Sequence, residues 1–122
     1  MVIDALAPLL GVADIGRSIA FYTKILPFQV AQRTEADGKI QWALLQCGPV
    51  KIMLGRSSRA GGDAGVLLYL YVASARDCHA ALRAKGAAPG AVRLGSHGLE
   101  EFRLRDPDGY ELAIASPALR IA

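Results

Sequence analysis

The chain has 122 residues, 52% hydrophobic and 20% charged, which suits one compact domain and excludes a disordered chain. Its net charge of +3 comes from 14 lysines and arginines spread singly, with no basic run or interleaved aromatic patch, so nucleic acid is not an expected partner. The longest uncharged run, residues 64–75, is 12 residues long and too short to span a bilayer, and no basic segment leads into an apolar stretch at the start, so neither a membrane span nor a secretory signal is expected.

In chain order, "ALAPLLGV" (residues 5–12) predicts a short apolar strand ending near Val12. Asp14 has the side chain of a helix N-cap, and Ile15, Ile19, Tyr22 and Leu26 recur at helical spacing to make one apolar face. Pro27 ends that helix. "FQVAQRT", "IQWALLQC" and "KIMLG" read as three strands, and the Asp37-Gly38 and Gly48-Pro49 punctuation joins them as hairpins. "RSSRAGGDAG" (residues 56–65) is a polar, glycine-rich break. The pattern then starts again. "GVLLYLYV" is a strand, "SARDCHAALRAKG" a helix closed by Gly86, and "AVRLGS", "LEEFRLR" and "YELAIAS" are three further strands. A shift of 60 residues superposes Val12 on Val72 and Ala20 on Ala80, so the element order strand-helix-strand-strand-strand occurs twice.

The stretch "VADIGRSIAFYTKILPF" resembles the V-x-D-x-x-x-S-x-x-F-Y-x-x-x-L-G-F signature of the vicinal oxygen chelate superfamily, which includes glyoxalase I, extradiol dioxygenases, and fosfomycin and bleomycin resistance proteins. "DPDG" at 106–109 resembles the second signature of that family, and Pro27 departs from it by standing where glycine is usual. The resemblance covers nearly the whole chain. It implies an α+β fold in which two βαβββ modules form a curved mixed sheet around a cleft, commonly completed in a homodimer. On this basis residues 1–122 form a single domain, with modules at about 3–57 and 65–117 and a linker at 56–65.

Members of that family that perform chemistry hold a divalent metal with His, Gln or Glu, one from each of four strands. Carried over position by position, the ligands fall on Ala7, Met53, Leu67 and Ala113. None suits a hard or borderline divalent ion, since Met is only a weak thioether donor. A metal-free member without a cofactor is therefore expected.

Side chains of a strand alternate between faces. If residue 113 faces the cleft, so does Glu111, and by the same rule Leu67, Tyr69 and Tyr71 do, as Met53 does. Trp42 and Leu44 join them, with a less firmly fixed register. Pro-Asp-Gly suits a three-residue hairpin loop, a type I turn with glycine in the left-handed position. It pairs Asp106 with Tyr110, Arg105 with Glu111, Leu104 with Leu112 and Arg103 with Ala113. Arg103 then brings a fixed positive charge and five donors to the place a cation would occupy, where it discourages metal and receives a carboxylate or carbonyl.

Each of these residues also has a plainer role. Glu111 is either a general base in an apolar cavity or half of an ordinary ion pair with arginine. Trp42, Tyr69 and Tyr71 either stack a planar ligand or fill a core. His97 reads as a solvated loop residue or one at the cleft mouth, His79 as a helix surface or flank residue, Cys78 as core and Cys47 as a strand end. The two cysteines lack CxxC spacing, which fits free thiols in a reduced cytoplasmic setting.

The leading expectation is a small-molecule-binding protein similar to the drug-sequestering branch of the family, taking an aromatic, neutral or anionic ligand. A positive net charge argues against a cationic drug. The alternatives are a glyoxalase- or dioxygenase-like lyase or oxidoreductase with an unusual site, metal-free acid–base chemistry by Glu111, or a vestigial cleft in a dimer that serves as an interaction module. Enzymatic activity is left open, with the four ligand positions weighing against it.

Overall fold

A computed structural model describes residues 1–61, 65–95 and 98–118. The chain divides into two compact units, Met1–Gly61 and Gly62–Ala122.

In the first unit, β1 (Leu9–Val12) leads into α1 (Ile15–Ala20), then come a π-helical turn (Phe21–Ile25) and the strands β2 (Gln29–Ala36), β3 (Lys39–Cys47) and β4 (Val50–Arg56). Asp14 caps α1 by accepting a hydrogen bond from the Arg17 N–H at 3.0 Å. The helix does not stay α-helical to its end. The Leu26 N–H reaches back to the Phe21 carbonyl at 3.2 Å, and the Phe28 N–H to that of Tyr22 at 3.0 Å. Leu26 itself is extended, as the residue before a proline should be.

The sheet order is β1-β4-β3-β2, with β1 and β4 parallel and the hairpin neighbours antiparallel. Asp37 and Gly38 both adopt positive φ (54° and 74°), as a two-residue type I′ loop requires. One face of the sheet carries Val12, Ala43, Leu45 and Leu54, all 0% exposed, with Tyr22 from the helix at 1%. Its period-two pattern of buried residues is what docks the amphipathic helix there.

The first strand is shorter than expected. It begins at Leu9, so Ala7 lies ahead of it, and Leu9 is the residue that pairs with Met53. Pro8 has no N–H to give a ladder; only its carbonyl takes part, accepting from the Met53 N–H at 2.8 Å.

The second unit comprises β5 (Leu67–Tyr71), α2 (Ala75–Ala84), β6 (Arg93–Leu94), β7 (Leu99–Arg105) and β8 (Glu111–Pro117), in the order β5-β8-β7-β6. The fold is thus α+β with two βαβββ modules. Ser74 caps α2 through the Asp77 N–H at 3.2 Å. At the other end the Ala87 N–H bonds to the Leu82 carbonyl and the Gly86 N–H to that of Arg83, the paired bonds of a Schellman ending.

The loop between β7 and β8 follows its sequence closely. Asp106 Oδ1 accepts from the N–H groups of Asp108 and Tyr110, both at 2.9 Å, while Gly109 takes φ 86°. That aspartate braces the turn from inside at 5% exposure, and glycine supplies the left-handed residue at no steric cost. The ladder that follows pairs Leu104 with Leu112, Arg103 with Ala113 and Arg105 with Glu111.

Strand β8 lies between β5 and β7, with Leu112 to Ser116 all buried. Leu112 and Ile114, with Phe102 and Leu104 beside them, form the core face on which α2 packs. Ser116 ties the two together, its Oγ accepting from the Ala75 N–H at 2.8 Å in a buried position. Cys78, expected in the core, is only half-buried, although burial still raises its thiol pKa. His79 sits on the flank of α2, its Nε2 against the Gly90 carbonyl at 2.9 Å and its ring edge-on to Phe102. The position expected for His97 falls outside the described residues.

Replacing Ser116 by alanine strands the buried Ala75 N–H, so Ser116→Ala should lower stability by about 1–3 kcal/mol. Urea unfolding followed by circular dichroism measures this, and an unchanged midpoint would show that the bond does not anchor α2.

Candidate functional site

The candidate residues fall into two sets, one on each unit. On the first unit Leu44 is registered opposite Met53, and Trp42 opposite Gly55 two residues further on. All three candidates therefore share the face opposite the buried Ala43–Leu45 side, and each is half-buried. Leu9 joins them from β1. Two hollows of about 400 and 440 Å³ lie elsewhere on this unit, one beside Asp14, Lys39 and Arg56 and the other beside Pro27, Val30 and Cys47.

On the second unit the face away from α2 has a floor of small residues. Ala113 and Ala115 of the central strand are 0% exposed. Leu67 pairs with Glu111, Tyr69 with Ala113 and Tyr71 with Ala115 on one side; Arg105, Arg103 and Glu101 pair with the same three residues on the other. Because alanine has no side chain beyond Cβ, the longer groups of the outer strands can meet above it. The Tyr69 hydroxyl donates to Glu101 Oε1 at 3.4 Å across the strand between them. Tyr69 and Tyr71 stack with ring centroids 6.0 Å apart and planes 25° from parallel.

A chain of charges continues from there. Arg103 lies 4.0 Å from Glu101 and 3.6 Å from Glu111, and Arg105 lies 3.3 Å from Glu111. Sequence reasoning placed Arg103 and Glu111 but missed Glu101, and also Arg93, which pairs with Glu101 from β6. The missing signal was available: Glu101 is two residues from Arg103 on the same strand and so must share its face. These pairs are exposed enough that each is worth at most about 1 kcal/mol. Their importance is positional.

The hydrogen bond to Glu101, some desolvation and the charge of that same carboxylate all act on Tyr69, with Arg103 acting against them. The hydrogen bond is the largest influence, and the phenol pKa is raised above its ordinary 10.0. Tyr69 therefore remains a donor throughout the physiological range.

The residues that stand at the metal positions of the resemblance do not fit a divalent metal. Leu67 and Ala113 offer no donor, Ala7 lies outside the strand, and Met53 offers only a thioether. Among the described residues, no three His, Cys, Asp or Glu side chains cluster so as to hold one. What the face of the second unit offers is a stacking surface, the guanidinium groups of Arg103 and Arg105, and two carboxylate acceptors.

The model of the Glyoxalase/Bleomycin resistance protein/Dioxygenase superfamily matches residues 3–114. No curated protein matches the chain. Among solved structures, TnmS3, an antibiotic-binding protein from Streptomyces sp. CB03234, is 18% identical with a TM-score of 0.80, the match covering 97% of this chain and 99% of that one. A bleomycin-binding protein complexed with bleomycin is 20% identical with a TM-score of 0.76, over 93% and 98%. A lactoylglutathione lyase from Agrobacterium tumefaciens is 17% identical with a TM-score of 0.72, over 93% and 94%. At such identities the likeness establishes the fold, which binding proteins and an enzyme share, and the choice between them has to come from the side chains.

The bond to Glu101 can be tested by titrating Tyr69. Its Cζ resonance should titrate above pH 10.0, and Glu101→Gln should bring the midpoint down. The native state holds this proton more tightly than the unfolded chain does. Its contribution to stability is thus present below the ordinary value and lost as pH rises through the raised one. A midpoint unmoved by Glu101→Gln would contradict the assigned hydrogen bond.

Proposed function

The chain belongs to the Glyoxalase/Bleomycin resistance protein/Dioxygenase superfamily, and we propose that within it the protein captures an aromatic small molecule without a metal. One observation carries this reading: where a metal enzyme of the family needs donors, this chain has an alanine floor flanked by stacked tyrosines and an arginine. Tyr69 and Tyr71 stack the ligand, Leu67 extends the apolar surface, and Arg103 receives an acceptor atom while Glu111 holds the guanidinium in place. On the first unit Trp42, Leu44 and Met53 supply a second apolar and aromatic surface. Capture requires no bond to be broken, so the absence of donors at the four positions costs such a protein nothing. The likeness to two antibiotic-binding proteins supports the reading. The protein acts in the cytoplasm as a homodimer, each chain forming one domain.

Acid–base catalysis by Glu111 is the competing reading. Both carboxylate oxygens of Glu111 lie within 3.6 Å of an arginine. That is the geometry of an ion pair that positions its partners, and it differs from the apolar isolation that turns a carboxylate into a base near neutrality.

Titration calorimetry against a panel of planar aromatic compounds tests the proposal, alongside emission from Trp42, the single tryptophan of the chain. A binder should retain its affinity in EDTA, and Tyr69→Ala and Arg103→Ala should each weaken it about tenfold, the size of one aromatic or charge-assisted contact. Affinity that disappears in EDTA, or turnover abolished by Glu111→Gln, would contradict it.

A further inference from the structure

The charge network on the second unit also bears on which ligands that face can take. The guanidinium of Arg103 is not an isolated cation awaiting an anion. It lies within 4.0 Å of two carboxylates, Glu101 and Glu111, which approach different nitrogens. Glu111 is shared with Arg105 at 3.3 Å, and Glu101 also accepts from the Tyr69 hydroxyl at 3.4 Å. Arg93, opposite Glu101 on the outermost strand, is the remaining arginine registered on this face.

A carboxylate arriving at Arg103 beside the tyrosines would meet Glu101 and Glu111 at close range, and these oppose it and offset the attraction of Arg103 and Arg105. A neutral acceptor such as a carbonyl meets no such opposition. Arg103 has five donor hydrogens, and its carboxylate neighbours stand at ion-pair distances of 3.6 and 4.0 Å, which leaves donors for a ligand. Glu101 has the complementary property. It is an acceptor placed two residues from Arg103 on the same face of β7, bonded to the hydroxyl of Tyr69, and suited to a ligand N–H or O–H.

Gly95 is part of the arrangement. A Cβ at that residue would come within 2.9 Å of the Glu101 carboxyl carbon and Oε1, so a glycine is what lets this side chain lie where it does.

We propose that Glu101 sets the ligand specificity of this face, selecting a neutral planar ligand with an adjacent hydrogen-bond acceptor and donor, the acceptor meeting Arg103 and the donor Glu101. This inference rests on the small-molecule reading and narrows it: amides, lactams and hydroxy-ketone edges are favoured over carboxylates of the same shape.

Two matched probes decide it, 2-naphthamide and 2-naphthoate, each titrated into the full chain and followed by protein NMR, which detects millimolar binding. The wild-type protein should bind the amide about tenfold more tightly, with shifts at Tyr69 and at the Arg103 side chain. Glu101→Gln, which removes the charge and keeps the shape, should strengthen naphthoate binding and reverse the preference. Gly95→Ala, which displaces the Glu101 carboxylate, should weaken the amide while leaving the charge of the chain unchanged. If the wild type prefers naphthoate at the same residues, the specificity inference fails and the binding reading stands. Should neither probe shift Tyr69 or Arg103 up to its solubility limit, both are overturned for this face.

Discussion

Strand β8 runs through the middle of the second unit, and its sequence has to satisfy two different neighbourhoods. Toward α2 it presents Leu112 and Ile114, which fill the core, and Ser116, which bonds the helix. Toward the other face it presents Glu111, then Ala113 and Ala115. The alternation is forced by the pleat, but the size difference is not, and it is what shapes the surface. Two alanines in a row on one face of a central strand leave a shallow trough, and the side chains of β5 and β7 lean across it from either side. The bond between Tyr69 and Glu101, the tyrosine stack and the Arg103 contacts all depend on that trough. Larger residues at 113 or 115 would hold these groups apart.

The same trough bears on the metal chemistry of the family, because the residues at the carried-over ligand positions do not fit a divalent ion. A divalent ion needs several hard donors converging on a point, and here the central position converges on a methyl group. An organic ligand makes the opposite demand. It needs area, a ring to stack on and a small number of directed polar contacts. The face has these in a compact arrangement, with the Arg103 guanidinium flanked by two carboxylates. The neighbouring carboxylates temper the positive charge of Arg103, which is the basis of the selectivity proposed for this face.

Much of this was legible in the sequence, for reasons that differ by element. The turn type and register of the loop at 106–109 could be read because proline and glycine each have a narrow conformational role there, and that register carried Arg103 to Ala113, while the bracing by the Asp106 side chain was not foreseen. The cap at Asp14 was readable for the same reason, whereas the matching cap at Ser74 went unread although serine has the same capping chemistry. The early start expected for β1 was wrong because apolar composition does not reveal where a ladder begins, and Pro8 interrupts it. The π-helical turn before Pro27 had no local signature beyond the proline itself. Glu101 was overlooked although strand parity determined its face, since the long reach of its side chain toward Tyr69 depends on the absence of a Cβ at Gly95, just past the end of β6 and off the strand that carries Glu101. Half-burial of Cys78 likewise depends on how α2 rolls on the sheet, which helical spacing alone does not specify.

The central claim is that this chain replaces a metal centre with a surface that binds an organic molecule directly. Its most direct test is to incubate the purified protein separately with Zn²⁺, Ni²⁺, Mn²⁺ and Fe²⁺, remove unbound ions by desalting, and determine bound metal by elemental analysis. Trace, substoichiometric metal in every case is the predicted result. Retention of one ion per chain for any of the four would contradict the account, because it would require a donor set that the residues at the family's ligand positions do not provide.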